Sequence, residues 1–154
     1  MNPMPFPEKI IERYFTEPET NIRDYNQKSA YRISIARKRL KLLMKYKKGI
    51  KNILEIGCAT GFFLSAAKEK GIDNYGVELS KSYSDYCNNT LKIHVENKPL
   101  AKTNFKIKFD AAAYWDTFEH IQNPVEEINI VKKLLFPGGI LALGLPILNI
   151  EYKV

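Results

Sequence analysis

Between Lys51 and Leu145 the sequence alternates short apolar runs of strand length with stretches of helical period, and that alternation leaves little choice of fold. A strand, a helix and a second strand close as a right-handed crossover, so the strands lie parallel and helices cover both sheet faces. The runs are 53–56 (broken by Glu55), 74–79, a weaker one at 91–95, 109–114 and 140–145. Helices are expected over 62–70 with a stop at Gly71, over 81–90, and from Asn123 onward. The last has the strongest start: Asn123 suits an N-cap, Pro124 the first helical position and Glu126 the capping-box position. Val125, Ile128, Val131, Leu134 and Leu135 would form its apolar face, and 137–139 (Pro-Gly-Gly) would turn the chain into the fifth strand. The expected class is α/β, a doubly wound parallel sheet of about five strands preceded by N-terminal helices.

Residues 1–51 follow another pattern. Phe6, Ile10 and Tyr14 recur at helical spacing around Pro7. From Ser29 to about Tyr46, Ile33, Ala36, Leu40, Leu43 and Met44 form an apolar stripe, and Gly49 is a suitable stop. The expected organisation is an N-terminal helical cap segment, 1–51, packed on a main domain, 52–154. Of the 24 basic residues, ten fall between Lys28 and Lys51 with no acid among them, leaving 14 against 17 acids elsewhere. A solvated helix face is the plain reading of this block, and attraction of an anionic substrate or nucleic acid is the less favoured one. Tyr14, Tyr25 and Tyr31 are read as packing residues, with a lid over a ligand as the alternative.

Several classes are set aside. No apolar stretch reaches the roughly 18 residues of a membrane span, the longest, 138–150, being cut by Pro146. The N-terminus lacks the basic-then-apolar order of a signal peptide. Cys58 and Cys87 allow one disulfide at most and no cysteine-based metal cluster. The expectation is a cytoplasmic protein with no membrane segment and no metal.

Chemistry concentrates in the turn after the first run. Gly57 and Gly61, four apart between a strand and a helix, let the backbone bend tightly and approach a ligand closely. The following helix start offers free N–H groups. A plain tight connection would need the same glycines. Glu78, 17 residues after Gly61, ends the second run, where a carboxylate can accept bonds from the vicinal hydroxyls of a ribose. The competing role for Glu78 is a surface ion pair. A dinucleotide is disfavoured, because Ala59 and Phe62 replace the second and third glycines of G-x-G-x-x-G and Glu55 interrupts the strand.

EIGCATG at 55–61 resembles motif I of the class I S-adenosylmethionine-dependent methyltransferases, and YGVELS at 75–80 resembles their second motif. Phe109-Asp110 with WDTFEH at 115–120 resembles their fourth-strand motif, and Asn123-Pro124 through 137–139 the helix and turn before strand five. The resemblance covers about 50–147 in family order. It implies a Rossmann-like fold, S-adenosylmethionine as cofactor, and methyl transfer to a small-molecule acceptor by in-line displacement. It places Gly57 and Gly61 beside the amino-acid part of the cofactor, with Glu55, Cys58, Ala59 and Thr60 completing that loop. Glu78 would take the ribose, Leu79 the adenine face, and Trp115 and Asp116 the methionine side facing the acceptor. Asn97 and Lys98 fall where many members have Gly-Asp, so the usual acidic contact to the adenine amine is missing or displaced. Asp116 and His120 are the catalytic candidates, His120 as a neutral imidazole able to take a proton. Glu119-His120 is also common in the family as a largely structural pair. His94 is read as a packed or half-exposed histidine.

Family members usually continue past strand five with a helix and two strands, whereas this sequence ends at Val154, nine residues after Leu145. Strand five is therefore expected to be an exposed edge that invites a partner strand or self-association, and the chain alone to turn over weakly. Two other functions stay open: a cofactor-binding protein with little turnover, and an RNA-modifying enzyme guided by the basic segment 28–51.

Overall fold

Ile53, Leu54, Glu55 and Ile56 are all buried because their strand, β1 (Asn52–Ile56), is covered on both faces and paired on both edges. The computed structural model describes residues 29–146 together with Ile22 and Gln27; the readings on Phe6, Ile10, Tyr14, Tyr25, Lys28 and 147–154 lie outside these. In chain order the elements are α1 (Ser29–Tyr46), β1, α2 (Phe62–Lys68), β2 (Asp73–Val77), α3 (Lys81–Tyr86), β3 (His94–Glu96), β4 (Phe109–Trp115), α4 (Pro124–Leu134) and β5 (Leu135–Gly144). The five strands are ordered β3-β2-β1-β4-β5, and every pairing is parallel. This is the doubly wound, Rossmann-like sheet, with its order reversing at β1.

Side chains alternate along β1 and β4, so the sheet feeds two cores. Ile53, Ala111 and Ala113 face α1 and α2, packing with Ala36, Leu40, Leu43, Phe63 and Leu64. Leu54, Ile56, Ala112 and Tyr114 face the other way, toward Val131 of α4 and Leu100. α1 thus closes one face of the sheet, across α2. Met44 leaves the expected stripe and is exposed, since it lies roughly 100° round the helix from Leu43. Lys38, Lys41, Lys45 and Lys48 stand in solvent, and Arg37 forms a bidentate pair with exposed Glu69 at 2.9 and 3.0 Å. No helix among the described residues is long and apolar enough to cross a membrane.

Element ends depart from expectation for local reasons. β2 stops at Val77, which puts Glu78 just beyond the strand. α3 runs into a π-helical turn, Cys87–Leu91, ended by left-handed Lys92 (φ 53°), so β3 starts only at His94. β4 extends to Trp115. The Pro-Gly-Gly of 137–139 does not precede β5 but bulges within it: Phe109 pairs with Leu135 and Ala111 with Ile140. Proline has no N–H for the ladder, so the chain accommodates it only where pairing lapses. The apolar face of α4 narrows to Val131, with Ile130 and Leu134 partly buried, while Val125 and Ile128 are exposed. Its start forms as expected: Asn123 Oδ1 accepts from Glu126 N–H at 3.4 Å and Asn123 Nδ2 donates to Glu126 Oε2 at 2.9 Å.

The packing of α1 predicts a contrast between neighbours on one helix. Leu40→Ala should lower the unfolding free energy by about 2–5 kcal/mol, and Met44→Ala by under about 0.5 kcal/mol. Urea denaturation of both variants checks this, and equal losses would contradict the placement of α1.

Candidate functional site

The carboxyl ends of β1, β2 and β4 meet around the turn at 57–61. That turn contains three left-handed residues: Gly57 (φ 73°), Ala59 (φ 46°) and Gly61 (φ 74°). Gly57 N–H donates to Val77 O at 2.8 Å and Gly61 N–H to Cys58 O at 2.8 Å, which bends β1 over the end of β2. On the other side lies Thr117, whose Cγ2 would sit 2.4 Å from a Cβ on Gly57. No larger residue fits there. Ala59 carries the left-handed conformation with a side chain, at a cost of about 1–2 kcal/mol.

Glu78 is the link between the two strand ends. It is 6% exposed, its Oε2 accepts from Ala59 N–H at 2.8 Å, and its Oε1 accepts from Ser80 N–H at 2.8 Å. Burial pushes its pKa up, while the N–H groups of Ser80 and Ala59 act in the opposite direction. The N–H of Leu79 acts on it in the same way, and the two oxygens together keep acceptor capacity for further donors. Asn97, after β3, donates from Nδ2 to Glu78 O at 2.9 Å and Leu79 O at 2.8 Å, fastening the β2 end to its neighbour.

At the neighbouring ends of β1 and β4 the polar groups are less satisfied. Glu55 is buried and its Oε2 has no hydrogen-bond partner; the indole Nε1 of Trp115 is buried and unpaired as well. Burial raises the Glu55 pKa well above the ordinary carboxyl range, and the positive charge of Arg39 acts against that shift. Arg39 reaches in from α1, its guanidinium 4.8 Å above the Trp115 ring and its Nη2 donating to Asp116 Oδ2 at 2.7 Å. Asp116 is itself left-handed (φ 56°) and exposed. Polar atoms with no partner are rare in protein interiors, and such groups gather where a ligand is to be met.

The fold therefore brings Glu55, Gly57, Cys58, Ala59, Thr60, Gly61, Glu78, Leu79, Asn97, Trp115 and Asp116 to one end of the sheet. Lys98 pairs with Glu96 at 2.7 Å beside them. His120 is exposed on the short turn Phe118–His120. His94 is exposed too, against the edge of Tyr75 at the outer strand. Among the described residues no cluster of His, Cys, Asp and Glu is placed to hold a metal ion. Two shallow hollows flank the sheet. One of about 290 Å³ touches Thr60 of the turn and Phe62 at the start of α2. The larger, about 360 Å³ along Lys68, Asp73, Tyr75, Lys92 and His94, lies at the amino ends of β2 and β3, away from the unsatisfied groups. In open parallel sheets the carboxyl ends are the binding end, and the convergent polar groups lie there.

A family model of the methyltransferase domain matches residues 25–149. The chain belongs to the methyltransferase domain family. A ubiquinone biosynthesis O-methyltransferase of Psychrobacter arcticus is 28% identical over 104 residues, which are 61% of this chain and 40% of that protein. The chain thus spans less than half the length of this curated relative. Among solved structures, an amino pentose methyltransferase from Micromonospora echinaspora with S-adenosylmethionine bound superposes with a TM-score of 0.72 at 15% identity, over 89% of this chain and 60% of that one. A sugar N-methyltransferase from Streptoalloteichus gives 0.68 at 18% identity, over 82% and 53%. At such identities the likeness is one of fold.

Within the methyltransferase domain, Arg39 and Thr117 escaped the sequence reading. Arg39 sits in a basic run on the flank of the α1 stripe, and only the crossing of α1 over the end of β4 distinguishes it from its neighbours. Thr117 lies inside WDTFEH, but the need for Gly57 beside it is a contact across 60 residues.

Glu55 gives a pH prediction for this methyltransferase domain. Its folded pKa is raised, so the folded state binds the extra proton between the ordinary carboxyl value and the raised one. Stability is therefore highest below that window and falls as pH rises through it. Glu55→Gln, which cannot ionise in either state, should have a higher Tm than the parent at neutral pH, the gap shrinking on acidification toward the ordinary carboxyl range. A lower Tm for Glu55→Gln at neutral pH would contradict the burial of a carboxyl group with one oxygen unpaired.

Proposed function

We propose that this domain binds S-adenosylmethionine across the carboxyl ends of β1, β2 and β4 and passes its methyl group to a small-molecule acceptor. The observation that carries the reading is Glu78: a buried carboxylate with spare lone pairs, held at the β2 end by the backbone of the glycine turn. Such a group suits two neighbouring ribose hydroxyls. Gly57 supports the same fit, since its missing Cβ keeps the turn open against Thr117. So does Glu55, whose unpaired Oε2 would receive an α-ammonium, with the Arg39 guanidinium nearby for the α-carboxylate. Leu79 would lie against the adenine, with Asn97 and Lys98 at its edge, while Cys58, Ala59, Thr60 and Gly61 offer backbone along the amino-acid part.

When bound, the cofactor supplies an electrophilic methyl group on a positive sulfur. The residues of this chain then contribute position and exclusion of water, the terms that matter most when the electrophile is already activated. Trp115 supplies an apolar wall and one free N–H donor beside the acceptor. For an acceptor that must lose a proton, Asp116 and His120 are the available bases, Asp116 held by Arg39 and His120 in solvent. A small-molecule acceptor agrees with the relatives, one named for ubiquinone biosynthesis and others for amino pentose and sugar.

Nucleic acid is the less favoured acceptor, because two arginines of the basic block are spent within the chain, Arg37 on Glu69 and Arg39 on Asp116. Residues 1–51 are read as the cap segment of the domain 52–154. A partner strand or second copy is proposed along the outer side of β5, which is the edge of the described sheet and exposes Phe136 and Leu143. The proposed setting is the cytoplasm, in keeping with the free thiols of Cys58 and Cys87.

Calorimetric titration with S-adenosylhomocysteine tests the reading. The parent should bind, and Glu78→Ala should weaken binding roughly tenfold to a hundredfold, the loss of charge-assisted bonds worth about 1.5–3 kcal/mol. Arg39→Ala should weaken it by a similar factor. Parental affinity in both variants would overturn the assignment.

A further inference from the structure

The glycine turn holds a second pair of reactive groups. Cys58 lies within it and Cys87 opens the π-helical turn packed behind it; both are buried. The two thiols share one acceptor in the turn. Both converge on the carbonyl of Ala59, with Cys87 Sγ at 3.4 Å and Cys58 Sγ at 4.0 Å. The space around them is made by glycines. A Cβ on Gly61 would come within 3.0 Å of Cys87 Sγ, and one on Gly76 within 2.8 Å of Cys58 Sγ. The π turn contributes as well, its Cys87 carbonyl accepting from Ile93 N–H at 3.0 Å where a regular helix would have ended differently. Such turns recur at functional sites.

We propose that Cys58 and Cys87 are a redox modification site: they form a reversible disulfide that disables cofactor binding. This rests on the cofactor reading above. The oxidant is a peroxide. The sulfur of one thiol attacks an oxygen of hydrogen peroxide and breaks the O–O bond, yielding a sulfenic acid and one water; the second thiol attacks that sulfur, breaks its S–O bond to release another water and closes the S–S bond. Two thiols and one hydrogen peroxide thus give one disulfide and two waters, and a dithiol reductant reverses the bond.

The geometry says what the bond would move. Two sulfurs that now stand apart on one carbonyl must close to about 2.05 Å. Gly57 is tied at the other end of the turn, its N–H donating to Val77 O at 2.8 Å. The shift falls on Ala59, whose N–H is the donor to Glu78 and whose backbone is already left-handed. Oxidation therefore detaches the turn from the carboxylate that would read the ribose. The reverse coupling follows: a cofactor lying on the turn holds Ala59 in place and slows disulfide closure. Contact with Cys87 and burial also raise the Cys58 thiol pKa, so the closed turn is slow to react and opening exposes it.

The full chain, reduced, is treated with hydrogen peroxide with and without S-adenosylhomocysteine. Intact mass and a non-reducing peptide map score the Cys58–Cys87 link, and calorimetry scores affinity. The expected result is a linked peptide, affinity at least tenfold weaker, recovery with dithiothreitol, and slower linking in the presence of S-adenosylhomocysteine. Cys87→Ala and Cys87→Ser should keep their affinity under the same oxidant. A linked protein of unchanged affinity, or thiols that never link, overturns the proposal. If the reduced protein does not bind at all, the cofactor reading fails and the regulatory half fails with it, while the mass measurement still decides whether the disulfide forms.

Discussion

One hydrogen bond organises the functional end of this molecule: the N–H of Ala59 on the carboxylate of Glu78, 2.8 Å apart across the ends of two parallel strands. It requires a left-handed residue in the turn, a glycine on either side of it, and a carboxylate buried deeply enough to prefer a backbone donor to water. Once it is made, the β1 turn and the β2 end are one rigid surface. Asn97 extends that surface to β3 by bonding the carbonyls of Glu78 and Leu79. Thr117 extends it to β4 by filling the space that Gly57 leaves. Four strand ends are thus registered to one another by contacts that a single side chain in the wrong place would break.

The rest of the fold serves to hold that surface. A sheet covered on both faces keeps β1 from shifting, because Ile53 and Leu54 are anchored in different cores. α1 closes one of these cores and also delivers Arg39 over Trp115 to Asp116. The same helix is therefore a packing element and a source of charge at the site. Glu55 is the counterpart inside the sheet, a carboxylate whose burial destabilises the fold and whose free oxygen has value only for a ligand. Stability given up at a site of this kind is the usual mark of function.

Much of this was legible in the sequence because it is local. Gly57, Gly61 and Glu78 belong to one strand-turn-helix-strand unit, so their spacing alone placed them together. The apolar runs located β1 and β4 for the same reason, since a doubly covered strand has few ways to be written. The departures involve contacts between distant segments. Arg39 looks like any other base on a solvated helix until α1 is seen to cross the end of β4. Pro137 reads as a turn before a strand, yet the pairing of Leu135 with Phe109 starts β5 ahead of it. Val125 falls on the apolar side of an ideal helix, but α4 reaches the sheet chiefly through Val131, leaving that first turn in solvent.

The central claim is that the methyl donor lies on the carboxyl ends of β1, β2 and β4. Amide hydrogen exchange with and without S-adenosylhomocysteine tests it most directly, since it reports position rather than affinity. Protection is predicted at 57–61, 78–80 and 115–117, with little change along Lys68, Asp73 and His94 at the opposite end of the sheet. Protection confined to that opposite end, with the glycine turn exchanging as freely as before, would contradict the account.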